Sequence, residues 1–382
     1  MSNSPIGNPF RFGALALDEA FADRDRERAE LVSDIRNGQD VVIFAPRRYG
    51  KSSLVWSAAQ ALAGEGILVA QVDLMTTPTK ERLAAALARS IYEQIASPLE
   101  RMREKALAPF RGLQVQPTVT IEPDGSLAFS FAVGRADADL DATLERLLQL
   151  PAELGGGGRR RTALVLDEFQ EIVEVDPNLP RLLRSIFQQQ PEVSHVYLGS
   201  KRHVMEKIFS DVNEPFWRSA KPMELAAIEA EAFAPFIARR FDESGRAVGE
   251  GVVAELLAIT GGHPYATQEL GYFLWEQVGE GETASPDHLR DAMKAVLNAE
   301  NAHFTLLWEG ASPVQKVVLQ ALARESGRPF TADYRVRNNL PAPTNVQKAL
   351  RALEQREVVT GKGGAYRITQ PFLSEWLNGL GR

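Results

Sequence analysis

Four short, β-rich apolar runs bounded by breakers stand out in the first half of the chain: DVVIF (40–44), ILVAQVDL (67–74), TALVLDEF (162–169) and SHVYLGS (194–200). Runs of this length with little alternation predict strands buried on both faces. Helical spacing of apolar positions fills the intervals, notably SSLVWSAAQALA after the first run and KERLAAALARSIYEQIASPLERMREKAL after the second. A β-α-β-α-β-α-β order requires crossover connections, so the expected fold class is α/β, a parallel sheet with helices on both faces.

Two segments interrupt that order. Residues 115–134 alternate around Asp124-Gly125 and predict a hairpin, and GGGGRRR at 155–161 reads as a surface connection or a hinge before the third strand. From about Ile228 the strands cease, and EAEAFAPFIARRFDES, GEGVVAELLAIT and GGHPYATQELGYFLWEQV all carry helical patterns. The pattern changes once more near the end: helix SPVQKVVLQALARES, a short polar stretch, helix TNVQKALRALEQRE, then two β-like runs around Gly363-Gly364. Helices followed by a β wing is the winged helix-turn-helix order. The expected domains are a core at 1–222 with a hairpin insertion near 112–134, a helical domain at 223–309 and a winged helix at 310–382.

Composition narrows the class without changing this layout. At 382 residues, 44% hydrophobic and 24% charged, the chain has the make-up of a globular protein. The absence of cysteine excludes disulfides, thiolate metal sites and a Cys nucleophile. No basic start precedes an apolar run, and no stretch reaches membrane-span length, so a cytoplasmic protein without membrane contact is expected. Charge adds more. The net charge is -7, yet residues 310–382 hold 11 Lys and Arg against 5 Asp and Glu, so an acidic body precedes a basic tail.

The candidate chemistry begins at Ala45, Pro46, Arg47, Arg48, Tyr49, Gly50, Lys51, Ser52 and Ser53. They match the whole of a phosphate-binding loop of the Gly-x-x-x-x-Gly-Lys-Ser/Thr kind, with Ala45 in place of the first glycine. Its place between a strand and a helix gives it free backbone N–H groups and a favourable dipole for ATP phosphates. Gly50 would let the backbone approach, Lys51 would reach the β- and γ-phosphates, and the Ser52 hydroxyl would hold Mg²⁺. The run ALVLDEF supplies two carboxylates at a strand end, Asp167 for Mg²⁺ and Glu168 to deprotonate the attacking water. Arg47 and Arg48 could face phosphate, a partner or solvent, and Phe10, Phe12 and Phe21 could border the adenine or belong to the core.

These motifs, over nearly the whole chain, resemble the archaeal-type ATPase family on the STAND and AAA+ side of the P-loop NTPases. The likeness rests on NPFRFGALALDEAFADRDRERAEL with Phe21, Arg24 and Glu27, on APRRYGKSSL, where alanine is a known variant, and on VYLGSKRHVMEKIF, EPFWRSAKPMEL, TGGHPYATQEL and AYRITQPFLSEWL. Gln370 stands where the family more often has Asp. The resemblance implies that Ser200 acts as a γ-phosphate sensor and that Arg218 is an arginine finger or sensor. It also implies that the turn from Gly261 to Pro264 packs a lid onto the nucleotide, with His263 near the phosphates. A strand-end turn, a structural salt bridge and a helix cap are the plainer readings of the same three sites.

In the tail, Asn345, Gln347, Lys348 and Arg351 on one helix face and Lys362 in the wing are suited to duplex DNA. Arg335 and Arg337 add positive charge nearby. Winged helices also dock proteins, so two expectations stand: an ATP-hydrolysing switch acting on DNA, or a slow-turnover scaffold that docks a protein partner or a second copy. A small-molecule kinase would need an acceptor pocket that nothing in the sequence indicates.

Overall fold

The computed structural model describes residues 7–13, 23–96, 107–110, 113, 115–121, 127–133, 139–156 and 159–380. They form two units, one of Arg24–Arg47 with Lys51–Leu225, the other of Met1–Asp23, Arg48–Gly50 and Ala226–Arg382.

The first unit is built on a five-stranded parallel sheet. Its strands are β1 (Val41–Phe44), β2 (Leu68–Asp73), β5 (Thr162–Asp167), β6 (Val193–Gly199) and β7 (Lys221–Glu224), in the order β2-β5-β6-β1-β7. All of β5 and β6 is buried, although Ser194 and His195 interrupt the apolar run of β6. The four expected strands are present, and β7 joins them as a strand that the apolar pattern misses. It has four residues, and Pro222 cannot donate to a ladder, so it suits only an edge. Backbone bonds from Lys221 to Asp40 (2.8 Å) and from Leu225 to Phe44 (3.0 Å) fix it beside β1.

The helices of this unit are α1 (Asp25–Arg36), α2 (Lys51–Gly64), α3 (Lys80–Ile91), α4 (Leu140–Leu154), α5 (Ile172–Val175), α6 (Leu179–Phe187) and α7 (Arg202–Ser210). Leu54, Val55, Ala58 and Leu62 form the buried stripe of α2 at helical spacing. The expected long helix after β2 ends at Ile91 and passes into one π turn, Tyr92–Ala96; the rest of that prediction lies outside the described residues. The hairpin insertion pairs β3 (Val115–Ile121) antiparallel with β4 (Leu127–Val133), and its turn at 124 and 125 lies outside the described residues.

The second unit is mainly helical: α8 (Ala230–Glu243), α9 (Glu250–Thr260), α10 (Pro264–Gln277), α11 (Pro286–Glu309), α12 (Pro313–Arg324), α13 (Ala332–Arg337), α14 (Pro343–Gln355) and α15 (Pro371–Gly379). Strands do recur here. The two-residue strands β8 (Ala247–Val248) and β9 (Thr283–Ala284) pair in parallel, against the expectation of none in the helical region. Strands β10 (Val359–Lys362) and β11 (Ala365–Ile368) form the expected wing around Gly363 and Gly364. Both turn glycines have positive φ, 60° and 82°, as a tight two-residue hairpin requires. A single apolar cluster runs from Phe10 through Phe233, Leu270, Phe304 and Leu350 to Leu377. Of the N-terminal aromatics, Phe10 belongs to it, buried against Phe241; half-buried Phe12 packs on Tyr265 and Tyr272, and Phe21 lies outside the described residues.

Candidate functional site

Parallel pairing sets the carboxyl ends of β1, β5 and β6 along one edge of the sheet, where doubly wound folds bind ligands. Ala45 continues β1 by donating its N–H to Gly199 O (3.4 Å). Its φ is not positive, so the first-glycine position carries no strain from alanine. Gly50 does need its residue type, with φ 84° and open space where a Cβ would stand.

The first unit gathers the loop lysine, the loop serine and both carboxylates. The Lys51 ammonium is buried and donates to the carbonyls of Ala45 (2.9 Å) and Pro46 (3.1 Å). Ser52 donates to Asp167 Oδ2 at 2.8 Å, and Gln71 reaches the same oxygen at 3.4 Å. A hydroxyl and a carboxylate at this separation are the hard oxygen donors that Mg²⁺ takes from a protein, and the open, positively charged loop fits a phosphate chain. Burial raises the Asp167 pKa, the Glu168 charge adds to that, and the Ser52 bond opposes it. A bound cation would reverse the balance.

Glu168 has φ 51° and ψ 47°, a left-handed conformation rare for a side chain of this size. Phe169, packed on Tyr197, Phe209 and Phe216, anchors the turn that holds it there. Ser200 Oγ donates to Glu168 Oε2 at 2.8 Å, so the structure brings the predicted sensor onto the predicted base. Burial works against ionisation of Glu168, but hydrogen bonds from Gln170 and Ser200 and the charges of Lys51 and Arg47 outweigh it and lower the pKa. Arg47 therefore acts on the carboxylate although it is exposed. Ser53 is buried in the first turn of α2. Arg218 is exposed, has φ 50°, and lies over the Trp217 ring at 5.2 Å; among the described residues its side chain makes no contact with Asp167 or Glu168.

In the second unit His263 caps α10, and Pro264 is its first residue. His263 Nδ1 accepts from Ala266 N–H at 3.3 Å, which leaves the ring proton on Nε2. Burial first, then the charges of Arg48 and Arg367, lowers its pKa to about 4, so the ring is neutral at pH 7. Tyr49 meets it edge-on at 4.7 Å, and the Arg48 guanidinium lies 4.2 Å over Tyr265.

On α14, Val346, Ala349, Leu350 and Leu353 face the core, while Asn345, Gln347, Lys348 and Arg351 are exposed together with Lys362 of the wing. Arg337 pairs with Glu325 (3.4 Å), and Arg335 donates to Pro341 O (3.2 Å), so both serve the local fold. Residues that sequence reasoning passed over are Gln71 and Gln170, neither in a loop or carboxylate motif, although Gln170 directly follows DEF.

Residues 302–379 match a family described as a probable winged helix domain. No curated protein matches the sequence. Among solved structures, the fold is similar to a Walker-type ATPase of Pyrococcus abyssi, with a TM-score of 0.68 and 18% identity over 97% of this chain and 99% of that one. It is also similar to the Aeropyrum pernix ORC2 protein, solved as ADPNP-ADP complexes, with a TM-score of 0.53 and 16% identity over 97% of this chain and 98% of that one. The fold is thus similar to that of this Walker-type ATPase and of the ORC2 protein, a parallel sheet followed by helices and a winged helix.

Proposed function

We propose that this protein binds ATP with Mg²⁺ and hydrolyses it, as a nucleotide-driven switch of the AAA+/STAND type whose winged helix contacts duplex DNA. The observation that carries the reading is the 2.8 Å bond from Ser52 to Asp167, which joins the first turn of the loop helix to the end of β5. A strand-end acid placed only for solubility has no reason to meet that serine.

Lys51 binds the phosphate chain as a buried cation, and the N–H groups at the start of α2 orient it. Ser52 and Asp167 would hold Mg²⁺, which would supply positive charge to the phosphate oxygens. Glu168, ionised at neutral pH, takes the proton of the attacking water, and Ser200 holds one of its oxygens. Arg218 is assigned to developing charge on the phosphate, supplied within the chain or by a second copy. His263 responds to the loop through its contact with Tyr49. No helix among the described residues is long and apolar enough to cross a membrane, and a cytoplasmic location fits the need for ATP.

Nucleotide binding and single-turnover hydrolysis test this together. Lys51→Ala should abolish ATP binding, and Glu168→Gln should keep binding while hydrolysis falls about a hundredfold or more. Unchanged hydrolysis in both variants overturns the assignment.

A further inference from the structure

The structure assigns Gln170 as the positioning residue of the hydrolytic site, the side chain that pins one oxygen of Glu168 and leaves the other to the attacking water. The inference rests on the reading of Glu168 as the base and extends it to a residue outside the loop and carboxylate motifs.

Gln170 is buried in the single turn Phe169–Glu171 that follows Glu168. The turn is closed by the Glu171 N–H donating to Glu168 O at 2.9 Å. With Phe169 in the core and Glu168 in the left-handed region, the Gln170 amide comes back under the carboxylate. Its Nε2 donates to Glu168 Oε2 at 2.5 Å and lies 3.4 Å from Glu171 Oε1. Two carboxylates facing one amide settle its orientation, because the flipped amide would set its oxygen against both.

The arrangement leaves Gln170 Oε1 buried with no hydrogen-bond partner. A buried acceptor without a partner costs stability, and a residue chosen for stability alone would avoid it. What the amide gains instead is control of Glu168. Oε2 accepts from both Gln170 and Ser200, whereas Oε1 has no partner among the described residues. A carboxylate gripped at one oxygen can rotate little about its terminal bond, so Oε1 is held in one direction. The far side is anchored as well: Glu171 Oε1 accepts from Lys201 Nζ at 2.7 Å, and Lys201 directly follows Ser200. Both donors to Oε2 are therefore tied to the end of β6, the strand that carries the predicted phosphate sensor.

Gln170→Met, which has nearly the same shape and no donor, tests the assignment in the full-length protein beside Glu168→Gln and the double variant. Three readouts are needed: single-turnover hydrolysis, affinity for a fluorescent ATP analogue, and the thermal midpoint. Gln170→Met should lower the hydrolysis rate ten- to a hundredfold, the size expected of a misplaced catalytic group. Analogue affinity should stay within about twofold and the thermal midpoint should not fall, because no donor to the nucleotide is lost and the buried orphan oxygen is removed. In the Glu168→Gln background the same change should add less than about twofold, since a residue that acts through Glu168 has nothing left to position.

Full hydrolysis in Gln170→Met with a slow Glu168→Gln overturns the role of Gln170 and leaves the function standing. Equal factors in both backgrounds, or losses of affinity and thermal midpoint that parallel the rate, make Gln170 a structural residue and also overturn it. A Glu168→Gln variant that hydrolyses normally overturns both readings.

Discussion

Two adjacent glycines, Gly261 and Gly262, show how one residue type serves different physics. Gly261 ends α9 with φ 58° and open space where a Cβ would stand, a helix-terminating residue that another side chain can replace at modest cost. Gly262 has φ 67°, and a Cβ there would stand 2.0 Å from Ile228 O, the backbone of a segment whose own N–H donates to Gly262 O at 2.9 Å. Gly261→Ala should therefore cost about 1 kcal/mol in urea unfolding. Gly262→Ala should cost at least twice as much, because the clash is with backbone; equal costs would contradict this account. The sequence shows both glycines as punctuation but cannot rank them, since the ranking depends on what lies against each Cα. The same limit applies at Glu168 and Gln170: the acidic pair announces a carboxylate site, while the oxygen that is gripped, and by what, depends on a turn set by packing of Phe169.

At the scale of elements, α10 carries two buried titratable groups with opposed pH dependence. His263 titrates near 4 in the folded chain against about 6.5 when unfolded, so the unfolded chain takes the proton first. Its contribution is complete above pH 6.5 and declines as pH falls towards 4, by roughly 3 kcal/mol. Glu269 is pushed up to about 8, by burial first and then by Glu300, with Arg48 opposing. Its contribution is complete below the unfolded value near 4.5 and is lost as pH rises through 8. The two effects cancel between about 4.5 and 6.5, and from 6.5 to 8 only the loss at Glu269 remains. Thermal scans at fixed ionic strength should show a lower midpoint at pH 8.5 than at pH 6, and Glu269→Gln should flatten that difference; a midpoint that rises over this range would refute the assignment.

Elements were legible where burial coincides with an uninterrupted pattern. β1, β2, β5 and β6 follow from their apolar runs, and α14 and the wing from periodicity and two glycines. β7 escapes because four residues with a proline satisfy no strand template, and only the open side of β1 makes them one. The 24-residue α11 shows Ser285, Pro286 and His288 at its start, a capping box with proline that ordinary pattern reading passes over because no Glu or Gln completes it.

For the molecule as a whole, the charge asymmetry carries the prediction. If the winged helix meets duplex DNA, Lys348→Ala and Arg351→Ala should each weaken binding and reduce the slope of log affinity against log salt by about 1. Fluorescence anisotropy across a salt series reads both. Binding that ignores salt, or an ATPase rate untouched by DNA, would favour docking of a protein instead. The sequence by itself determined a parallel α/β sheet, helices and a winged tail, because burial periodicity and strand order leave few alternatives. It also singled out the loop and carboxylate residues as candidates, because phosphate and metal chemistry needs particular side chains. Only the tertiary structure decided that Ser52 meets Asp167, that Ser200 and Gln170 meet on one oxygen of Glu168, that Phe10 belongs to a core and that Phe12 packs on Tyr272. Those pairings join residues as far apart in the chain as Phe12 and Tyr272, or turn on a single backbone conformation, and neither leaves a local mark in the chain.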